Sequence, residues 1–364
     1  MRVIEWAFPY FPSIGGLERF VELITKELRN RKIDVVLIAQ APFGEIGFEE
    51  HYPEVDLRVS PAWELGAINS EARSEQWERV NAAIGNNPGS VLHIHRLEGM
   101  NLLLLKRIRA KWKIPIVLTL HTPLLSPMES SASDFESMAL VDHFVAISPF
   151  VFEKSLESYP ELADRLSLIS NAVAPREPSR QVGEGFLFMG RLSQEKGVLQ
   201  LLAAFFFLRK LHPEVTLTIA GEGNQSSLLK NAAHSLGLAS SVVFTGWLDQ
   251  ESLAEHVKNC RAVVIPTVNE EPFGLVAIEA MSQAKPIVYA VSGALDWIAE
   301  GDKAGLSFLS GDLVGLTNQM RQLHLDPELA ISLGLAGHEI VQSRFRLEEM
   351  LDDYISVFKG LLDG

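Results

Sequence analysis

Short runs rich in β-branched and aromatic residues alternate with amphipathic stretches along almost the whole chain. In LERFVELITKELRN from Leu17, apolar residues recur at positions 17, 20, 21, 24 and 28, a spacing that predicts a helix. The runs that predict strands in the first half are VIEWAF from Val3, DVVLIAQ from Asp34, SVLHIH from Ser90, IPIVLTLH from Ile114, HFVAIS from His143 and LSLIS from Leu166. Strands and helices in alternation, joined by short loops, are typical of βαβ units, so we expect a doubly wound parallel sheet.

The segment from Asn171 to Gly185 interrupts this alternation. It is rich in proline, glycine and charge and has no apolar periodicity, which predicts a linker between two domains. A second alternating series follows, and its predicted strands are FLFMG from Phe186, VTLTIAG from Val215, SVVFTGW from Ser241, AVVIPT from Ala262, PIVYAV from Pro286 and GLSFL from Gly305. Two such domains predict a cleft, because open parallel sheets bind ligands at the carboxyl ends of their strands.

Composition narrows the classes of protein that fit. The chain has 364 residues, 47% of them hydrophobic, which excludes disordered and collagen-like proteins and suits two domains of ordinary size. Its 32 Lys and Arg against 46 Asp and Glu give a formal charge of -14, which argues against a nucleic-acid-binding protein. Cys260 is the single cysteine, so no intramolecular disulfide can form, and a reducing, cytoplasmic compartment is expected.

Neither a signal peptide nor a membrane span is expected. The longest apolar stretch, LQLLAAFFFL from Leu199, is followed at once by Arg209 and Lys210, well short of the ~20 residues of a spanning helix. The stretch LLLLKRIRAKWK from Leu102 to Lys113 sets basic residues behind a leucine run, as in helices that lie on anionic membranes. Peripheral contact with the inner face of a membrane is therefore one interpretation, and a buried helix with solvated cations at its C-terminal end is the other.

The stretch FLFMGRLSQEKGVLQ carries the sharpest local signal. A strand is predicted to end at Gly190, a short loop carries Arg191 and Lys196, and Gly197 opens the next helix. A helix N-terminus offers unpaired N–H groups, and two cations beside it make a site for a diphosphate. The other interpretation is that both cations are solvated loop charges.

A second signal, NEEPFGLVAIEAMSQAKPIVYA from Asn269, directly follows the predicted strand AVVIPT. Pro272 suits the first position of a helix, and Gly274 lets a ligand approach the backbone. Glu271 lies at the start of that helix and Glu279 about two turns in, where carboxylates can hydrogen-bond the vicinal hydroxyls of a sugar or a ribose. Alternatively, both carboxylates only complement the helix dipole.

Weaker signals lie at other strand ends. Glycines occur in IAGEG and FTGWL and as a pair before the first predicted helix. His121 ends the strand IPIVLTLH before Thr-Pro, so its ring is expected to face the cleft, and a satisfied structural histidine is the alternative. His93 and His95 share one face of a strand, and without a third ligand nearby they predict a structural pair rather than a metal site.

Together these motifs resemble the retaining GT-B glycosyltransferases of family 4, the glycosyl transferases group 1 type. The resemblance rests, in the family's order, on Gly15-Gly16, LTLH with His121, GRLSQEKG, IAGEG, FTGWL and the Glu-x7-Glu spacing from Glu271 to Glu279. It implies a GT-B fold of two Rossmann-like α/β domains across a cleft, with residues 1–172 on the acceptor side and 173–344 on the donor side. The C-terminal helix, about residues 345–364, would return to the first domain.

The resemblance also implies roles for single residues. Arg191 and Lys196 would neutralise the diphosphate of a nucleotide-sugar donor, Glu279 would hold the ribose, and Glu271 would bind the donor sugar. The residues expected to bind the donor are Gly16, Arg191, Lys196, Gly221, Trp247, Leu248, Glu271, Phe273, Gly274, Leu275, Val276 and Glu279. The residues expected to be catalytic are Arg191, Lys196, Glu271 and His121, which would contact the sugar from the opposite domain.

The implied reaction moves a hexose from a nucleoside diphosphate to a hydroxyl of a glycan, lipid-linked or small-molecule acceptor, with retention of configuration. Cations aimed at the leaving diphosphate lower the barrier directly. The resemblance implies no metal and no other cofactor, and the chain has no Asp-x-Asp motif. UDP-glucose or a similar UDP-hexose is the expected donor, with GDP- and ADP-sugars open. A catalytically silent nucleotide-sugar-binding protein and a GT-B-fold sugar-nucleotide epimerase are the alternatives.

One loop departs from the family pattern. Where the family commonly has Gly-Gly followed shortly by Glu, the chain reads SGALDWIAEG, with Trp297 near the glutamate position and Asp296 as a potential substitute. No residue of this loop is therefore assigned to the site.

Overall fold

Two compact units make up the described part of the chain. In this computed structural model, residues 1–7, 15–40, 55–59, 77–78, 80–85, 87, 89–95 and 102–364 are described. The first unit consists of residues 1–170 and 348–364, and the second of residues 171–347. Each has its own parallel sheet flanked by helices, which confirms the predicted doubly wound α/β class.

The first unit contains a seven-stranded parallel sheet. Its strands are β1 (Arg2–Ala7), β2 (Asp34–Gln40), β3 (Leu57–Val59), β4 (Ser90–Ile94), β5 (Ile116–Leu120), β6 (His143–Ala146) and β7 (Leu166–Leu168). They lie in the order β3-β2-β1-β4-β5-β6-β7, so the order reverses between β1 and β4. Such a reversal opens a crevice at the carboxyl ends of these two strands. The edge strand β3 was not predicted.

Helices cover the first sheet. They include α1 (Gly16–Asn30), α2 (Leu102–Trp112), α3 (Ala132–Met138) and α4 (Pro149–Ser158). Phe20, Val21, Ile24 and Leu28 of α1 are buried, which confirms the predicted apolar stripe, and Gly15 is the residue before the helix, as predicted. Most of the loop before Gly15 lies outside the described residues.

The second unit repeats the design with six parallel strands. These are β8 (Phe186–Met189), β9 (Leu217–Ala220), β10 (Val242–Gly246), β11 (Ala262–Ile265), β12 (Ile287–Val291) and β13 (Gly305–Leu309), in the order β10-β9-β8-β11-β12-β13. The helices are α5 (Val198–Leu211), α6 (Ser226–Ser235), α7 (Gln250–Asn259), α8 (Leu275–Ser282), α9 (Leu295–Ala299), α10 (Leu313–Leu325) and α11 (Pro327–Arg344). Here the strand order reverses between β8 and β11, so these two strand ends are where a ligand is expected.

The predicted linker from Asn171 to Gly185 packs along the second unit. Arg261 donates to the Gly183 carbonyl over 2.9 Å, and the Lys285 ammonium donates to the Gln181 carbonyl over 2.9 Å. Proline and glycine exclude regular structure here, but their neighbours' carbonyls still accept hydrogen bonds. The lack of periodicity therefore indicates irregular backbone and not an absence of contacts.

The last helix, α12 (Leu347–Asp363), belongs to the first unit, as the fold prediction requires. Its Tyr354 and Phe358 are fully buried, and the Tyr354 hydroxyl lies 3.0 Å from the Thr119 hydroxyl on β5. Within the described ranges, no helix combines the length and the apolar character that crossing a membrane requires.

Candidate active site

The loop between β8 and α5 carries the two predicted diphosphate ligands. Arg191 is exposed, and Lys196 ends a 3-10 turn that spans Gln194–Lys196. The next residue, Gly197, has a left-handed φ of 68°, and a Cβ there would lie 1.9 Å from the Pro266 carbonyl oxygen. Only glycine fits such a position, so the turn after Lys196 is dictated by this residue.

The same loop is fastened to the chain that follows β11. The Thr267 hydroxyl donates to the Glu195 carbonyl over 3.0 Å, and the Val268 N–H donates to the same oxygen over 2.9 Å. The Glu195 carboxylate accepts a hydrogen bond from the Ser193 hydroxyl, which holds the pKa of that carboxyl below its ordinary value. The loop therefore has a fixed geometry at the point where β8 and β11 end side by side.

Lys196 and Glu271 meet at these strand ends. The Lys196 Nζ donates to the Glu271 Oε2 over 2.7 Å. The lysine side chain is 33% exposed and the glutamate 14%, so solvent still reaches the pair. The structure thus brings together two residues that were predicted separately, one for the diphosphate and one for the sugar.

The helix after Glu271 starts later than predicted. Gly274 precedes α8 with a left-handed φ of 104°, and Leu275 is the first helical residue. Pro272, expected at the first helical position, lies three residues before it, because the chain turns at Gly274. The first-turn N–H groups of Leu275 and Val276 have no partner within the helix and are donors for an anion.

Other residues predicted to bind the nucleotide lie mostly at further strand ends of the second unit. The Gly221 N–H donates to the Gly246 carbonyl over 2.8 Å, and a Cβ on Gly221 would lie 1.9 Å from the Gly190 carbonyl oxygen. The ends of β8, β9 and β10 therefore approach one another closely. Beyond Gly246, Trp247 is 51% exposed and Leu248 is half-buried. Glu279 is half-buried on α8.

In the first unit, His121 directly follows β5. Its Nε2 lies 3.3 Å from the His95 Nδ1, and its ring makes an edge contact with Phe20 at a centroid distance of 5.2 Å. His121 lines a cavity of about 230 Å³ whose wall is otherwise mostly apolar, with Leu17, Leu120 and Met138 among its residues. Gly16 is exposed at the first position of α1.

Glu5 is a functional candidate that sequence reasoning missed. It is fully buried and contacts His93 at 3.0 Å and His95 at 2.8 Å. The expectation that His93 and His95 lack a third ligand nearby was wrong, because β1 pairs with β4 and sets Glu5 opposite His93. The three residues form a set that could hold a metal ion. The signal in the sequence was a lone carboxylate within the apolar run VIEWAF.

Burial and charge act in opposite directions in this cluster. Burial alone would raise the pKa of Glu5, but the contacts with His93 and His95 outweigh it and bring the pKa to about 2. Burial lowers the pKa of His95 to about 4. Near neutral pH, Glu5 is therefore a carboxylate and His95 a neutral imidazole.

Comparisons with known proteins identify the family. Residues 14–177 match the model of Glycosyltransferase Family 4, and residues 175–339 match that of Glycosyl transferases group 1. The glycogen synthase of Mycobacterium tuberculosis is 35% identical, over 95% of this chain and 91% of that protein. The chain belongs to glycosyltransferase family 4. It is a hexosyltransferase, as predicted.

Solved structures share the fold of this family 4 glycosyltransferase. Anabaena HepE in complex with UDP and glucose is similar with a TM-score of 0.77 and 18% identity, over 99% of this chain and 100% of that chain. Sucrose-phosphate synthase from Thermosynechococcus elongatus is similar with a TM-score of 0.77 and 19% identity, over 100% and 99%. The predicted GT-B fold is confirmed.

An aromatic cluster contains Trp297, from the loop that was expected to depart from the family pattern. Phe273 is 2% exposed, and its ring centroid lies 5.8 Å from that of Phe345 and 6.5 Å from that of Trp297. The Arg344 guanidinium lies 4.4 Å over the Trp297 ring. Trp297 therefore packs in the second unit, and the Phe273 side chain is buried beside it. The neighbouring Asp296 accepts a hydrogen bond from Tyr289 over 3.1 Å.

The basic residues of α2 are engaged within the first unit. Arg109 forms a two-point ion pair with Asp142, and Lys106 pairs with Glu136. The Lys111 ammonium lies 4.9 Å over the Trp112 ring. The alternative interpretation expected solvated cations, whereas these cations have partners within the unit. Contact of α2 with a membrane stays a prediction.

Proposed function

We propose that this glycosyltransferase moves a hexose, with UDP-glucose as the first candidate donor, to a hydroxyl of a glycan, with retention of configuration and without a metal ion. The observation that carries the proposal is the contact of Lys196 with Glu271 at the carboxyl ends of β8 and β11. One group suits a phosphate and the other a sugar hydroxyl. The names of two similar proteins, a glycogen synthase and a HepE complex with UDP and glucose, support glucose as the donor sugar and uridine as its nucleoside.

The diphosphate is bound by cations and by helix N-termini. Arg191 and Lys196 supply the positive charge, and the N–H groups of Leu275, Val276 and Gly16 add hydrogen bonds. Negative charge on the departing diphosphate grows in the transition state, so these donors stabilise it more than the bound substrate. Arg191 and Lys196 are therefore catalytic as well as binding residues.

The remaining donor groups are recognised around this centre. Glu271 accepts hydrogen bonds from sugar hydroxyls, with the backbone of Phe273 and Gly274 beside it, and Glu279 accepts from the ribose. The base lies against Gly221, Trp247 and Leu248, where the exposed indole supplies a face for stacking. His121 contacts the hexose.

The acceptor side is assigned to residues 1–172 with the terminal helix, and the donor side to residues 173–344. A glycan is the preferred acceptor because the relative with 35% identity is named a glycogen synthase. Lipid-linked and small-molecule hydroxyls are the other acceptor classes to test, together with peripheral membrane contact through α2.

A donor panel tests the proposal. Purified protein is incubated with UDP-, ADP- and GDP-glucose and with UDP-galactose, with and without maltooligosaccharide, in the presence of EDTA, and nucleotide release is measured. We expect UDP release from UDP-glucose that depends on the acceptor and is lost in Lys196→Ala. Binding of a nucleotide sugar without release of the nucleotide would support the catalytically silent binding protein. Conversion of the sugar without an acceptor would support the sugar-nucleotide epimerase.

A further inference from the structure

A chain of polar contacts runs from a buried carboxylate to His121. Glu5 and His95 are 0% and 1% exposed, whereas His121 is half-buried and lines the cavity of the first unit. The contacts are 2.8 Å from the His95 Nε2 to Glu5 and 3.3 Å from the His95 Nδ1 to the His121 Nε2. Each nitrogen of His95 thus has its own partner.

The protonation of each nitrogen follows from the chemistry of its partner. A carboxylate only accepts hydrogen bonds, so the His95 Nε2 must carry the proton that Glu5 receives. A neutral imidazole has one proton, which leaves the His95 Nδ1 as an acceptor. The His121 Nε2 must therefore donate to it, which places a proton on that nitrogen.

We infer that Glu5 and His95 are positioning residues that fix the tautomer and the ring plane of His121. Buried outer partners of this kind orient a functional histidine in many sites. Phe20 supports the same orientation, because its ring makes edge contacts with both His95 and His121 at 5.7 and 5.2 Å. The inference rests on the proposed function where it concerns catalysis, since His121 is the residue proposed to contact the sugar.

His93 provides a matched control within the same cluster. It binds the Glu5 carboxylate through Nδ1, but its Nε2 lies 2.8 Å from the Thr119 hydroxyl, which continues to Tyr354 on α12. This branch leads into the packed core. Removing His93 perturbs Glu5 and stability but does not remove an acceptor from His121.

A bound metal ion would produce the opposite tautomer. Glu5, His93 and His95 could hold a metal ion. An ion on the His95 Nε2 would move the proton of His95 to Nδ1. The His121 Nε2 would then be the acceptor, and His121 would carry its proton on Nδ1. The tautomer of His121 therefore distinguishes positioning by Glu5 and His95 from a metal site.

The experiment measures tautomers by NMR on the full chain labelled with 15N-histidine, near neutral pH and before and after EDTA. The His121 signals are assigned by their loss in His121→Asn. We expect His121 to be protonated on Nε2, with no change on EDTA treatment. Protonation on Nδ1 would overturn the inference.

Variants extend the test to catalysis. Glu5→Gln removes the carboxylate, and His95→Gln keeps a donor toward Glu5 but removes the acceptor that faces His121. In both we expect loss of the Nε2-protonated form and a roughly 10- to 100-fold lower kcat, with KM for the donor changed less. His93→Gln should retain the tautomer and a kcat within about 3-fold of the unmodified protein. An unchanged His121 tautomer in folded Glu5→Gln and His95→Gln would contradict the inference.

The two proposals fail in different ways. If His121→Asn turns over like the unmodified protein while the tautomer results stand, the role of His121 in the proposed function is wrong and the positioning by Glu5 and His95 is right. The wild-type NMR result needs no variant to fold. Thermal unfolding of each variant identifies any loss of activity that comes from lost structure.

Discussion

The Lys196 ammonium and the Glu271 carboxylate lie 2.7 Å apart, although 75 positions separate them along the chain. They meet because β8 and β11 are neighbours in the sheet of the second unit and each residue follows one of these strands. The contact fixes the position of the lysine side chain before a donor arrives. A site prepared in this way stabilises the charge of a leaving diphosphate without first having to reorganise.

Replacing Lys196 should separate catalysis from stability. We expect Lys196→Ala to lower kcat/KM by about 100- to 1,000-fold, the usual effect of losing one donor to a developing anion. Unfolding free energy should change by less than about 1 kcal/mol, because the ion pair is solvent-accessible. Lys258→Ala, an exposed lysine on α7, is the control. Near-native turnover of Lys196→Ala would contradict the assignment of Lys196 as a catalytic residue.

A double-mutant cycle tests whether Lys196 and Glu271 act on one substrate. Glu271→Gln should raise the KM for the donor and lower kcat, because an amide is a weaker acceptor for sugar hydroxyls. Since the two groups touch, we expect the double variant to lose less transition-state stabilisation, expressed as a free energy from kcat/KM, than the sum of the two single losses. Strict additivity would indicate independent roles.

The exposed indole of Trp247 should contribute to nucleotide binding. Stacking of a base on an aromatic ring is worth ~1–3 kcal/mol, so Trp247→Ala should weaken UDP binding by roughly 10-fold in calorimetry. Phe207→Ala is a matched control, because Phe207 is also 51% exposed in the second unit but lies on α5. Equal affinities of the two variants for UDP would show that Trp247 does not bind the nucleotide.

The left-handed turn at Gly197 should not accept a side chain. In Gly197→Ala the added Cβ would lie 1.9 Å from a carbonyl oxygen, and the left-handed φ would itself be strained. We therefore expect unfolding free energy to fall by about 3 kcal/mol and activity to be lower. Gly237→Ala is the control, since Gly237 has a φ of 69° and no atom within 4 Å of the added Cβ. It should cost about 1 kcal/mol and leave turnover intact. Similar losses in both would refute the close approach.

Acid should destabilise the first unit in two stages. The pKa of His95 falls from its ordinary 6.5 to about 4 on folding, so the unfolded chain binds the extra proton and stability declines from pH 6.5 to 4. The pKa of Glu5 falls from 4.5 to about 2, so its contribution is lost from pH 4.5 to 2. Calorimetry should show a shallower fall of Tm between pH 6.5 and 4 in His95→Gln. The exposed His234→Gln, in the second unit, should leave the slope unchanged.

Much of the fold was readable from periodicity. The run VIEWAF predicted β1, the stripe from Leu17 predicted α1, and Lys196 and Glu271 were each assigned to donor binding from the motifs after β8 and β11. Local signals sufficed there, because side-chain period and the residues at a strand end depend only on neighbours along the chain. The start of α8 was misplaced, since a left-handed glycine two residues after Pro272 turned the chain first.

Local spacing along the chain therefore predicts most of the strands and helices and the chemistry placed after each strand. Which side chains meet is set by the folded chain: Lys196 meets Glu271, and Glu5 meets His93 and His95. Such contacts depend on which strands pair and in what register, and pairing between distant segments leaves no trace in local spacing. For the same reason Trp297 was recognised as a departure at one position, while its packing against Phe345 became visible only in the folded chain.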